Sequence, residues 1–137
     1  MYRIFLNNSP YKNRARFLAT LWTLLIFILC LMPGNDLPEV NVPFIDKWTH
    51  FVLFGTFTFL WLCGFPKRKF GHLALIFIIS IALGWLIECL QGYFTSLGRD
   101  KDIMDAIADG IGGLLGVLFF TLLSSLAEKK QQSVNNN

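Results

Sequence analysis

Four apolar runs, Phe17 to Met32, Trp48 to Phe65, Leu73 to Leu90 and Ile103 to Leu126, take up most of this chain and leave short connections between them. Each is close to the ~20 residues a helix needs to cross ~30 Å of hydrocarbon. The fourth run holds Asp105 and Asp109 near its start, so its strictly apolar part begins at Gly110. Nothing remains between the runs to build a separate soluble domain, and the 54% hydrophobic content agrees. The expected fold is therefore one all-α domain, an integral membrane antiparallel bundle of four transmembrane helices over residues 17–126. A basic segment, residues 1–16, precedes it, and a polar tail, residues 127–137, is expected to be disordered.

The net charge of +3 is too small to point to nucleic acid. Its placement is more informative. Arg3, Lys12, Arg14 and Arg16 precede the first run, Lys67, Arg68 and Lys69 separate the second from the third, and Lys129 and Lys130 follow the fourth. With alternating helices, nine of the twelve basic residues fall on one side, and the positive-inside rule makes that side the cytoplasm. Both termini are then cytoplasmic, and the connections 33–47 and 92–102 face outward. This implies a multi-pass protein of the inner, cytoplasmic membrane, with the lipid bilayer as its first partner. The first run has the basic flank of a secretory signal, but Cys30 and Met32 before Pro33 make no small-residue cleavage site, so the segment reads as a retained helix. Three cysteines inside or at the ends of apolar runs indicate no disulfide framework.

Ionisable groups in such a chain need a partner or a purpose, since each costs about 2.5 kcal/mol or more at the bilayer centre and less near the interface. In helix two, Asp46, His50, Phe54 and Phe57 share one face, with Lys47 beside them. Gly84, Glu88 and Gln91 form one stripe of helix three, and Asp105, Asp109, Gly112 and Gly116 one face of helix four. Glycines four apart permit close helix approach in a bilayer, so Gly84, Gly112 and Gly116 read as packing positions and the acids point inward. Carboxylates in a first turn, as at Asp100, Asp102 and Asp105, are favoured by the helix dipole alone; Asp109, two turns in, is not. Alternation brings the start of helix two, the end of helix three and the start of helix four to one outer face. Asp46, Lys47, His50, Glu88, Gln91, Arg99, Asp105 and Asp109 therefore form a candidate polar site. Arg99 is the expected charge partner of the carboxylates, because its planar fork binds two acceptors at once.

The motifs DKWTHF, ECLQ and RDKDIMDAIADGIG, in this order over residues 46 to 116, resemble the signature of the VanZ-like membrane proteins. The resemblance implies a small bacterial integral membrane protein, and its founding member links the family to low-level resistance to the glycopeptide teicoplanin. It fixes no mechanism. Asp109 stands where the family pattern usually carries asparagine, replacing a group that donates and accepts with one that, ionised, only accepts.

Three functions remain open on the sequence. One is a binding protein for an envelope component or amphiphile, such as an envelope lipid or the lipid-tailed glycopeptide, with Arg99, Lys47 and His50 meeting anionic head groups. Another is an intramembrane enzyme using His50 with Glu88, Asp105 and Asp109 as acid, base or metal ligands. The third is a structural or partner-binding protein whose polar network only locks the bundle. There is no HExxH, GxSxG or phosphate loop, so no organic cofactor is expected, and no resident metal is the default.

Overall fold

The computed structural model describes residues 2–33, 43–94, 96, 98 and 101–136. Four α-helices and no strand are present among the described residues: α1 Lys12–Cys30, α2 Ile45–Gly64, α3 Phe70–Tyr93 and α4 Ile103–Asn135, preceded by a 3-10 turn, Tyr2–Phe5. Helices α1, α3 and α4 are each long and apolar enough to cross a membrane. α2 is not among them, because Asp46, Lys47 and His50 in its first two turns lower its hydropathy. Its entry is sharp: Phe44 has φ 58°, the left-handed region, and Asp46 lies in the first helical turn. At the far end Phe65 donates to the Trp61 carbonyl at 3.0 Å, and Pro66 prevents continuation.

The bundle is built on α2 against α4, its most extensive helix pair. Here backbone meets backbone. A Cβ added at Gly112 would land on the Phe51 carbonyl oxygen, one at Gly116 would meet the Gly55 carbonyl, and one at Gly55 would lie 3.1 Å from the Gly112 carbonyl oxygen. α1 leans on the other side of α2, where the Trp22 indole donates to the Leu53 carbonyl at 2.9 Å and the Trp61 indole to the Thr23 hydroxyl at 3.2 Å. Large apolar side chains such as Phe17, Leu24, Ile28, Ile78, Leu118 and Leu122 point outward, the reverse of a water-soluble domain and the arrangement a lipid surround requires.

Two boundaries differ from those expected. α1 starts at Lys12 instead of Phe17, because Ala15 and Ala19 bury against the bundle while the Arg16 guanidinium donates to the Gly64 carbonyl at 3.0 Å and covers the Phe65 ring. The basic segment is thus partly a helix turn, and its Phe5 ring meets Phe59 and Phe120. At the other terminus, residues expected to be a disordered tail continue α4 to Asn135. Ala127 is buried, Glu128 pairs with Arg68, and the sequence there holds good helix formers and no breaker. These contacts gather the start of α1, the end of α2, the start of α3 and the late turns of α4 at one basic end of the bundle.

Candidate functional site

The opposite end holds the polar residues, and each is placed by its helix. His50, Phe54 and Phe57 are the buried stripe of α2, with the imidazole stacked parallel to Phe54 at 6.3 Å between centroids. Glu88 and Gln91 of α3 and Asp105 and Asp109 of α4 are buried at this end, while the buried Ser80 and Ser124 lie further along those helices. His50 and Asp109 are each 1% exposed, Glu88 0% and Asp105 5%.

Asp109 Oδ1 lies 3.0 Å from His50 Nδ1. With Asp109 ionised, only Nδ1–H can donate in this pair, and a neutral imidazole then carries its lone pair on Nε2. Glu88 Oε2 accepts from the Asp102 backbone N–H at 2.8 Å, so α3 holds the entry of α4. Lys47 Nζ contacts three carboxylates at once: Asp102 at 2.7 Å, Asp105 at 3.1 Å and Asp46 at 3.2 Å. The ammonium beside it holds the Asp102 carboxyl below the usual carboxylate range. Three buried atoms at this end have no hydrogen-bond partner: His50 Nε2, Glu88 Oε1 and Asp109 Oδ2. Buried polar atoms are normally satisfied, so three unmet ones on ionisable side chains make this convergence of three helices the candidate site; the unmet hydroxyls of Thr58 and Ser80 lie further along the bundle.

Gly84 belongs to the site as much as to helix packing. A Cβ there would strike the Asp109 carboxylate, so the glycine provides the space into which Asp109 turns. Gly84→Ala is expected to displace that carboxylate from His50 and cost about 1–3 kcal/mol of stability; thermal melts in detergent check the loss, and an unchanged melting temperature would contradict it.

Of the eight expected site residues, Lys47, His50, Glu88, Asp105 and Asp109 converge, and Asp46 joins them through Lys47. Gln91 is buried but turned toward α1, where its amide donates to the Cys30 carbonyl at 2.7 Å. Arg99 lies outside the described residues, and among those described the cation on the carboxylates is Lys47. Lys101 is engaged elsewhere, its ammonium 4.1 Å above the Trp85 ring. Asp102 was not expected in the site. It caps α4, accepting from the Met104 N–H at 2.8 Å, yet its second oxygen accepts from Lys47 and its backbone N–H donates to Glu88. The signal was present: Asp102 precedes Asp105 by three residues, hence lies on the same face.

The sequence matches the VanZ/LLP1 family over residues 3–124, nearly the whole described bundle and every residue of the buried polar set. The chain belongs to the VanZ/LLP1 family. No curated protein and no solved structure matches it. Within this VanZ/LLP1 chain the three motifs that carried the resemblance fall at the start of α2, the end of α3 and the start of α4, which meet at one end of the bundle. Asp109, the departure from the expected asparagine, is the residue on His50. At that position either side chain offers an oxygen to Nδ1–H, and the acid adds a negative charge.

Proposed function

We propose that this VanZ/LLP1 protein is a four-span protein of the cytoplasmic membrane, with both termini in the cytoplasm, whose outward-facing polar site recognises the polar head of an envelope amphiphile. The observation that carries this reading is the buried trio of unpartnered atoms on ionisable side chains, His50 Nε2, Glu88 Oε1 and Asp109 Oδ2, gathered at one end of the bundle. A second feature supports it. An apolar groove of about 610 Å³ runs along the α2–α4 seam, from Phe51 and Gly112 beside the site toward Phe59 and Leu122. At 1.5 Å per residue those stretches are roughly 12–15 Å long, enough for part of an acyl chain. Lys47 is already held by three carboxylates, so the described residues at the mouth offer acceptors. The head group must bring hydrogen-bond donors or arrive with a cation. The family link to teicoplanin, itself lipid-tailed, supports a ligand of this kind met from the outer leaflet.

Two experiments test the reading. Native mass spectrometry of protein released from membranes is expected to show a specific lipid adduct that Glu88→Gln and His50→Asn abolish while the protein stays folded. If those variants unfold instead, the polar set is only a lock between helices. Orientation is tested by cysteine labelling in a background lacking Cys30, Cys63 and Cys89: a cysteine at Lys69 is expected to resist impermeant reagent in intact cells, and strong labelling would reverse the topology. An intramembrane enzyme is the second reading, favoured by the Asp109–His50 pair with its open Nε2, a general-base geometry. It requires the co-purified lipid to be converted to a product, not merely retained.

A further inference from the structure

The buried end of the bundle has a charge imbalance that the described residues do not correct. Asp46, Glu88, Asp102, Asp105 and Asp109 meet there, and among the described residues the fixed positive charge on them is Lys47. That lysine stands on the outer side, touching Asp46, Asp102 and one oxygen of Asp105. Deeper in, one ligand atom from each of His50, Glu88 and Asp105 lies within 4.8 Å of the other two. All three side chains are at least nine-tenths buried, and two of them carry unmet atoms, His50 Nε2 and Glu88 Oε1. Burying carboxylates beside a bare imidazole lone pair costs several kcal/mol unless a cation or proton is shared among them.

We propose that His50, Glu88 and Asp105 form a binding site for one first-row divalent cation of the zinc type, with Asp109 as the positioning residue for His50. The donor set decides the class of ion. One imidazole nitrogen with two carboxylates suits zinc and its neighbours, whereas calcium and magnesium take oxygen almost exclusively. Asp109 completes the pattern from behind: a carboxylate on Nδ1–H fixes the ring and raises the basicity of Nε2, the usual support of a metal-bound histidine. Three protein ligands leave a coordination position open, as in sites where the ion meets a ligand rather than serving the fold alone. A second acidic trio, Asp46, Asp102 and Asp105, also comes within ligand distance. It contains no histidine, and Lys47 sits on all three of its carboxylates, so it is the weaker place for a cation.

The inference does not depend on the amphiphile reading, because it is tested with metal alone. Full-length protein, purified in detergent through a tag that contains no histidine, is stripped with chelator and titrated with zinc, and bound metal is measured by mass spectrometry after desalting. One zinc per chain is expected, not displaced by excess calcium or magnesium. Glu88→Gln, His50→Asn and Asp105→Asn are each expected to weaken binding about tenfold or more, and Asp109→Leu about 10–100-fold. Asp109→Asn, whose oxygen still accepts from Nδ1–H, is expected to retain most of the affinity, and Asp46→Asn all of it. Gel filtration and thermal melts show which variants remain folded. Wild-type protein that retains no zinc overturns the proposal outright, whatever the variants do. Binding that survives the His50 and Glu88 substitutions, or that is lost in Asp46→Asn, overturns it in favour of the outer trio.

Discussion

Replacing Gly112 with leucine is expected to destabilise the protein more than any other single change in the α2–α4 seam. The added side chain begins on the Phe51 carbonyl oxygen, a backbone atom that cannot rotate away. The two helices must part along the turns where their main chains touch. Overpacking costs about 1–3 kcal/mol when side chains can adjust, and this site lies at the upper end or beyond because they cannot. Parting the seam also removes Asp109 from His50, since both lie within one turn of the contact. Thermal melting in detergent should show the loss, with Gly110→Leu as the control: nothing lies within 4 Å of a Cβ at Gly110. Equal melting temperatures for the two variants would show that the seam does not hold the bundle.

The second large effect is expected at Lys47. Lys47→Met retains most of the stem and removes the ammonium, leaving Asp46, Asp102 and Asp105 facing one another. Asp46 and Asp102 are 45% and 41% exposed and remain screened by water, but Asp105 is 6% exposed, so the loss falls mainly on that carboxylate. A buried group deprived of its charged partner costs about 1–3 kcal/mol, with little added by the two screened ones. Lys47→Met combined with Asp105→Asn should recover part of the loss, because the amide no longer needs the cation. The coupling from this double-mutant cycle is expected at about 0.5–3 kcal/mol. Independent, additive losses would mean that Lys47 serves Asp46 and Asp102 only.

How much of this was legible in the sequence differs from residue to residue. The face shared by Asp105, Asp109, Gly112 and Gly116 is fixed by helical period, and it survives intact in α4, with the glycines against α2 and the acids inward. Convergence of His50, Glu88 and the α4 acids followed from antiparallel order alone. The pairing did not. Which cation meets which carboxylate depends on side-chain reach to within an ångström, and Lys47, one turn before His50, proves to be within reach of three. Gln91 shares a stripe with Glu88 yet bonds a carbonyl of α1; main-chain acceptors are identical at every residue, so a sequence carries no sign of them. Asp102 was hidden by its ordinary role, since an aspartate at a helix start is explained by capping and invites no further question. The extension of α4 beyond Leu126 was obscured by polarity, which distinguishes a lipid-facing helix from a water-facing one and says nothing about where helix ends.

Among the described residues, the polar contacts that tie this bundle together wait for a later helix to complete them. The Cys30 carbonyl at the end of α1 is met by Gln91 of α3, His50 of α2 by Asp109 of α4, and Lys47 of α2 by Asp102 and Asp105 at the start of α4. A ribosome delivers these partners in that same order, so a nascent chain stopped after α3 has capped α1, but His50 of α2 still lacks Asp109 and Lys47 has only Asp46 of its three carboxylates. In hydrocarbon such groups have no water to satisfy them. Completion of α4 is thus the step at which the buried polar groups of α2 gain their partners.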